Sequence, residues 1–558
     1  VTFGPGGLAR AEQVGKDLGD RTDIGPLAIN DGSTRWAIAA GALVPLGSFA
    51  NFLHHNNYPL LRAEVMILIA ALVGLAILVG LIYRASGQRA RISFECLLAF
   101  LAADLNLDST LAALGCAVVA LVVGITLRRS VMPLLAVIFA VTLASSLLPP
   151  RQVAWAQSRN IASPSAALPP PFLLHLVLDS HIGVEGLEDM GPEGAALSRE
   201  LTNAMVGAGF RVIGGAYSEN LQTVNSIPRI LNFGTAPPIP QSRKDTGIAV
   251  TTNAYFSELR GRGYRLRIVQ SDWVDYCRHP AVDACEEYSA TGIASIADSE
   301  LTIDERAKLI ATVFARLSEL AVTATTLYDW QVAKWRSSLP LSRLNIRANV
   351  GSLGALQAFQ ALIAELEKAR PGEAYFAHLL FPHAPFIVDG QCHRKPLDEW
   401  EYRDSLRELD SQKAAYLEQT RCASVLLRDA LDALGRSPAG DDAVVVIHGD
   451  HGSRLSSKTP MAYSVGQFDR HDLIAGHSTL FAIRSPKIAA GYVAKMAPVP
   501  ALLEAATKSS FRSINDAEAR HYRPRVMLAD RRWIPVRLHD LPVFDDLGAT
   551  SRSMSNAQ

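Results

Sequence analysis

The sequence predicts an α/β protein in two parts: an N-terminal bundle of about five transmembrane helices, then a soluble domain built on a central, mainly parallel sheet. Charges thin out between Trp36 and Pro149, where apolar runs of membrane-spanning length follow one another. After about Phe172, strand-like and helical patterns alternate, as in a parallel sheet covered on both faces. A chain of 558 residues also exceeds one ordinary core. Lys plus Arg and Asp plus Glu each number 54, so there is no basic footprint for nucleic acid, and none is expected as a partner.

Residues 1–34 are polar and Gly-rich, lack the early apolar core of a cleavable signal peptide, and read as a cytoplasmic tail. The region 35–150 holds five expected spans, at 36–54, 64–83, 92–106, 109–127 and 131–149. The second ("AEVMILIAALVGLAILVGLIY") and fourth ("STLAALGCAVVALVVGIT") are the most apolar, whereas the third is short and carries Glu95, so a buried amphipathic hairpin is its alternative. Arg84, Arg89 and Arg91 follow the second span and Arg128 and Arg129 the fourth, while "HHNNYP" and "ADLNLDS" lack Lys and Arg. The positive-inside rule then puts the amino terminus in the cytoplasm and everything after about residue 150 outside. The Pro-, Ala- and Ser-rich segment 151–171 reads as a linker, 172–545 as the outer domain and 546–558 as a frayed tail.

Within the outer domain, "FLLHLVLD" (172–179), "YRLRIVQSD" (264–272), "AYFAHLLFP" (374–382) and "AVVVIHGD" (443–450) read as strands. Helical spacing marks 193–210, about 301–370 and 411–435, and 521–546 reads as an ordered addition such as a hairpin. Cys96 and Cys116 fall in spans. Cys277, Cys285, Cys392 and Cys422 fall in the domain placed outside, where disulfides persist. Cys277 and Cys285 are close enough to close a short loop; Cys392 with Cys422 follows by elimination among three connectivities.

Metal-capable residues recur at the carboxyl ends of these strands, where open α/β sheets assemble their sites. Asp179 closes the first strand, His383 follows the third, and Asp450 with His451 follow the last in "AVVVIHGDHGSRL". A tight turn uses the same Gly and Asp for backbone reasons alone, and Asp179 alone could cap a helix. "SENLQTVNSIPRILNFG" (218–234) offers the hydroxyls of Thr223 and Ser226 before an apolar run. They read either as helix caps or as a nucleophile at a helix amino end, where an anion is stabilised. His181 reads as a surface histidine near a turn or as an additional ligand; Arg394 and Arg454 are solvated or phosphate-recognising.

The order Asp179, Thr223, His383, Asp450-His451, His477 after five apolar spans resembles the alkaline phosphatase and sulfatase superfamily, in particular its membrane-anchored phosphoethanolamine transferases and lipoteichoic acid synthases. "HLVLDS" resembles their first metal ligand, "TVNSIP" the nucleophile motif with Thr five residues before Pro, and "GDHGSRL" the Asp-His metal pair. "FPHAPF" and "AGHSTLFAIRSP" resemble the segments that carry the substrate-facing histidines. The resemblance implies a sulfatase-like catalytic domain with Asp179, Thr223, Asp450 and His451 as metal ligands, and Thr223, His383 and His477 as catalytic residues. It also implies a divalent metal, Zn2+ first, with Mn2+, Mg2+ or Ca2+ as alternatives. The expected reaction moves a phosphoryl-linked head group from a membrane phospholipid to an envelope glycan or lipid through a phospho-threonine. The expected location is the bacterial inner membrane, multi-pass, with the catalytic domain on the periplasmic face. A hydrolase using the same residues and an inactive membrane-anchored binding protein are the alternatives. The sulfatase signature needs Cys or Ser two residues before Pro228 and Arg two after it; Ser226 meets the first requirement, but Arg229 stands one residue early.

Overall fold

The computed structural model describes residues 31–107, 109–126, 130–148, 169–235, 248–290, 292–318, 321–323, 350–402, 409–456, 468–514, 525–527 and 533–535. The expected tail at 1–30, most of the linker, the helical pattern at 324–349 and the end at 546–558 lie outside these residues. The chain divides into two compact units, 1–150 with 314–325, and the remainder.

Among the described residues the first unit includes the helices α1 (Asp31–His55), α2 (Ala63–Ala85), α3 (Gln88–Asp104), α4 (Thr110–Thr126) and α5 (Met132–Ser146). α1 packs on α2 and α5, and α3 on α4. Among the described residues two helices are long and apolar enough to cross a membrane, α2 and the Arg35–His55 part of α1; α4 and α5 are apolar but shorter. α2 turns Met66, Ile67, Leu75, Leu78 and Ile82 outward, and α4 does the same with Val118, Val119 and Val122. α3 carries the polar exception. Glu95 accepts from Tyr83 Oη and Ser130 Oγ, each at 2.9 Å, and from the Val131 backbone N–H at 3.0 Å, so it ties α2 and the start of α5 to α3. Phe314 packs edge-on against Phe49, and Ser318 Oγ donates to Asp104 Oδ2.

The second unit holds an eight-stranded sheet. In chain order its elements are β1 (Leu173–Leu178), α6 (Val184–Glu188), α7 (Pro192–Gly207), β2 (Arg211–Tyr217), α8 (Thr223–Leu231), β3 (Arg265–Ser271), β4 (Val282–Tyr288), α9 (Ile303–Ala315), α10 (Gly351–Leu366), β5 (Glu373–Leu379), α11 (Leu409–Gly435), β6 (Val444–Gly449), α12 (Arg470–His477), β7 (Phe481–Arg484), β8 (Gly491–Pro498) and α13 (Val499–Lys508). The strand order is β8-β2-β7-β6-β1-β5-β3-β4. Every pairing is parallel except those of β7, which runs antiparallel to both β2 and β6. This is the mainly parallel sheet that the alternating pattern predicts. The central strands β1 and β6 are buried at every position, as a sheet covered on both faces requires, while the edge strand β4 is half-buried except at exposed Glu287. β2, β4, β7 and β8 are additions to the four predicted strands; "RVIGGAY" and "VDACEEY" mix Gly or charge into the run and give little strand signal. Both expected disulfides are present, Cys277–Cys285 and Cys392–Cys422. Two short antiparallel strands, Arg525–Met527 and Trp533–Pro535, lie in the segment read as a hairpin.

Candidate active site

The register of the sheet brings the site together. Leu178 at the end of β1 pairs with Leu379 of β5 on one side and Gly449 of β6 on the other, so three strands end level. The residues that follow, Asp179 and Asp450-His451, therefore emerge side by side although about 270 positions separate them in sequence. The turns leave no room for larger residues: a Cβ at Gly449 would strike the His181 carbonyl, and one at Gly452 the Ala475 carbonyl. Ser180 takes a left-handed φ of 64°. Tyr416 Oη fixes the loop beyond it by accepting from Ile182 N and donating to the Ser180 carbonyl.

α8 delivers Thr223. Gln222 is the residue before the helix, so Thr223 is the first helical residue and its hydroxyl is not spent on capping. Thr223 Oγ1 instead donates to Asp179 Oδ2 at 3.1 Å and lies 3.2 Å from His451 Nε2. Ser226, one turn on, lies 3.4 Å from Asp450 Oδ2. Asp450 Oδ1 accepts from the Ser180 and His451 backbone N–H groups at 3.0 and 2.9 Å. Ligand atoms of Asp179, Asp450 and His451 all lie within 4.8 Å of one another, and all three residues are buried.

The electrostatics suit a cation. Burial by itself would raise the Asp179 carboxyl, but the facing imidazoles of His383, His378 and His451 hold it well below the usual carboxylate range. Burial and the Asp179 charge push Asp450 up to about 7, since two buried carboxylates this close resist sharing two negative charges. Burial, joined by the Arg454 charge, keeps His451 neutral, well below the ordinary imidazole value. Its Nδ1 bonds the Gly452 carbonyl at 2.8 Å, which assigns the proton to Nδ1 and leaves the Nε2 lone pair facing the carboxylates. Two carboxylates, a neutral imidazole and a hydroxyl form a donor set of the kind divalent zinc takes.

The other predicted residues divide. His383 stands between two cis prolyl bonds, is half-buried, and takes a contact of 3.3 Å from Arg454 Nη2 to its Nε2. Arg454 itself adopts φ 57°, and its buried Nε has no partner among the described residues. His477 is fully buried, with Nδ1 on the Ser218 carbonyl at 2.9 Å rather than on a member of the cluster, and burial holds it down at about 4. His181 is not a surface histidine: it is 1% exposed and bonds the Ile182 carbonyl. Arg394 is committed to Glu305 and to the carbonyls of Lys395 and Glu300. Arg229, out of place for the sulfatase signature, pairs with Glu219 at 2.9 Å. The sequence reading missed His378, whose Nε2 lies 3.5 Å from Asp179 Oδ2. It sits inside β5, where a histidine in an apolar strand gives no sign of its direction; its in-register placement beside Val177, two residues before Asp179, is what brings it there.

No family model matches the chain, and no curated protein matches it. A search of solved structures matches the chain to the C-terminal periplasmic domain of EcEptC from Escherichia coli in complex with Zn (12% identity, 71% of this chain and 99% of that one, TM-score 0.40). It also matches the chain to a protein in the alkaline phosphatase superfamily from Vibrio parahaemolyticus (11% identity, 70% and 89%, TM-score 0.35) and to a 2-O GAG sulfatase (12% identity, 64% and 77%, TM-score 0.34).

Proposed function

We propose that this protein is a membrane-anchored, metal-dependent transferase of the alkaline phosphatase and sulfatase superfamily. It moves a phosphoryl-linked head group, phosphoethanolamine or phosphoglycerol, from a phospholipid to an envelope glycan or lipid. The observation that carries this reading is the Thr223 hydroxyl, at the head of a helix, bonded to Asp179 and within 3.2 Å of His451. Asp179, Asp450, His451 and Thr223 would hold a divalent ion, zinc by preference. When bound, such an ion acidifies the coordinated hydroxyl and withdraws charge from the phosphoryl group.

Thr223 Oγ1 attacks phosphorus. The new O–P bond forms as the lipid P–O bond breaks, and the departing diacylglycerol takes a proton. Asp179 Oδ2, which already accepts the Thr223 hydrogen bond, orients the hydroxyl, whose proton leaves to solvent. The amino end of α8 and the Arg454 guanidinium favour the charge that builds on the phosphoryl oxygens, and half-buried His383 beside Arg454 is the imidazole suited to pass the proton to the leaving alcohol. An acceptor hydroxyl then attacks phospho-Thr223, loses its proton and releases the threonine. His477, held by Ser218, has no step here beyond bracing the loop that leads into Thr223.

The outward apolar faces of α2 and α4 match a lipid surround, and the Arg residues after the second and fourth apolar runs support the reading in which the catalytic unit faces the periplasm from the inner membrane. Anchoring keeps the site in the layer where a lipid donor is concentrated. The test is peptide-level mass spectrometry of the purified chain after incubation with Zn2+ and mixed bacterial phospholipids. A mass increment on the Thr223 peptide, absent in Thr223→Ala, is expected, and its size names the head group. Normal turnover in Thr223→Ala sinks the reading; release of free head group without any acceptor turns it to the hydrolase.

A further inference from the structure

His378 has three features that packing alone does not explain. It is fully buried in β5, its Nδ1 lies 2.9 Å from the equally buried Tyr276 Oη, and its Nε2 faces Asp179 Oδ2 at 3.5 Å. Nε2 has no hydrogen-bond partner among the described residues, and Asp179 Oδ2 is the charged atom it faces. If Nε2 were unprotonated, its lone pair would oppose a carboxylate in a water-poor site, an arrangement that costs free energy on both sides. The proton therefore belongs on Nε2, which makes Nδ1 the acceptor and the Tyr276 hydroxyl its donor. Tyr276 is fixed in turn, because its backbone N–H donates to Gln270 Oε1 at 2.7 Å and its ring packs edge-on against Phe376. The result is a directed arrangement in which Tyr276 O–H donates to His378 Nδ1 and His378 Nε2–H faces Asp179 Oδ2 at 3.5 Å, the same oxygen the Thr223 hydroxyl uses.

We propose that His378 is a positioning residue: with its tautomer set by Tyr276, it fixes the rotation of the Asp179 carboxylate so that this group meets both the metal and Thr223. This rests on the reading of Asp179 as a metal ligand. Hydrogen bonding from outside the ligand set orients ligands and commonly changes metal affinity by about 10- to 100-fold. Ser180 Oγ holds the other oxygen, Asp179 Oδ1, at 2.9 Å, so removal of His378 frees one side of the carboxylate and leaves the other tied.

The experiment is competition of Zn2+ alone between the detergent-solubilised full chain and a chromophoric chelator, with thermal melting of the metal-free protein measured in parallel. His378→Leu is expected to weaken Zn2+ binding about 10- to 100-fold. His378→Gln, whose amide N–H reaches toward the same oxygen, should recover most of that loss, and Tyr276→Phe should show a smaller loss than His378→Leu. Undiminished Zn2+ affinity in His378→Leu overturns the proposal, as does an equal loss in the Leu and Gln variants with equal falls in metal-free melting temperature, which is the pattern of a packing residue. Should His378→Leu fail to fold, Tyr276→Phe decides, and unchanged affinity there overturns it. A wild-type chain that takes up no Zn2+ removes the metal-site reading itself, whereas wild-type uptake with undisturbed variants removes this inference alone.

Discussion

At the scale of single residues, Glu185 is a second buried carboxyl that the chemistry does not use. Burial pushes it from 4.5 up to about 7, an effect that its hydrogen bond from Tyr492 Oη offsets only in part, and its Oε2 has no partner among the described residues. The fold thus favours the protonated acid. Between about pH 4.5 and pH 7 the folded state holds a proton that the unfolded chain has lost, so the stabilisation is complete below the unfolded value and is lost as pH rises through about 7. The shift corresponds to roughly 3 kcal/mol. Denaturant titrations at pH 5 and pH 8 should give a change in stability between the two pH values that differs by that order between the wild type and Glu185→Gln; the same change in both would remove Glu185 as a cause. Thr223→Ser is the complementary test of the site: it keeps a hydroxyl at the head of α8 and should retain measurable head-group transfer where Thr223→Ala has none. The legible residues here were those after strand ends, because a polar side chain following an apolar run declares itself. His378 and Glu185 were not legible, since their direction depends on which neighbour lies beside them.

Elements show the same division. Apolar runs marked β1, β5 and β6 because strands buried on both faces are mainly apolar, whereas β2 and β4 gain their place from neighbours rather than from composition. In the first unit, Glu95 interrupts an apolar pattern yet accepts three hydrogen bonds, one of them from the first turn region of α5. Glu95→Ala should leave Val131 N–H and two hydroxyls without their acceptor and lower the melting temperature of the detergent-solubilised chain, while Glu95→Gln, keeping an acceptor oxygen, should lower it less. The Cys392–Cys422 bridge closes a separation of 30 residues and joins the loop after His383 to α11. By chain entropy such a bridge contributes on the order of 3–4 kcal/mol. Cys392→Ser should therefore lower the melting temperature, and reductant should lower that of the wild type further than that of the variant, which keeps only Cys277–Cys285.

For the whole molecule, a metal held by the proposed site, built from β1, α8 and β6, would make its binding part of folding stability. An ion held by the folded chain and not by the unfolded one stabilises by about 4 kcal/mol when present at a thousand times its Kd. Chelation should thus lower the melting temperature of the wild type and leave Asp179→Asn with Asp450→Asn nearly unmoved; an equal response to chelator in both would show that the ion acts elsewhere. The sequence by itself determined the class of the protein: the apolar amino-terminal helices, the α/β unit after residue 172, the strand ends that carry Asp179 and Asp450-His451, and the Thr223 motif. These follow from periodicity and composition, which are local. The tertiary structure alone decided which groups meet. The parallel register that ends β1, β5 and β6 at one level sets Thr223 against Asp179 and His451, turns His378 toward the same carboxylate and leaves the His477 ring on Ser218, because convergence across some 270 residues depends on strand order and register, which no local pattern encodes.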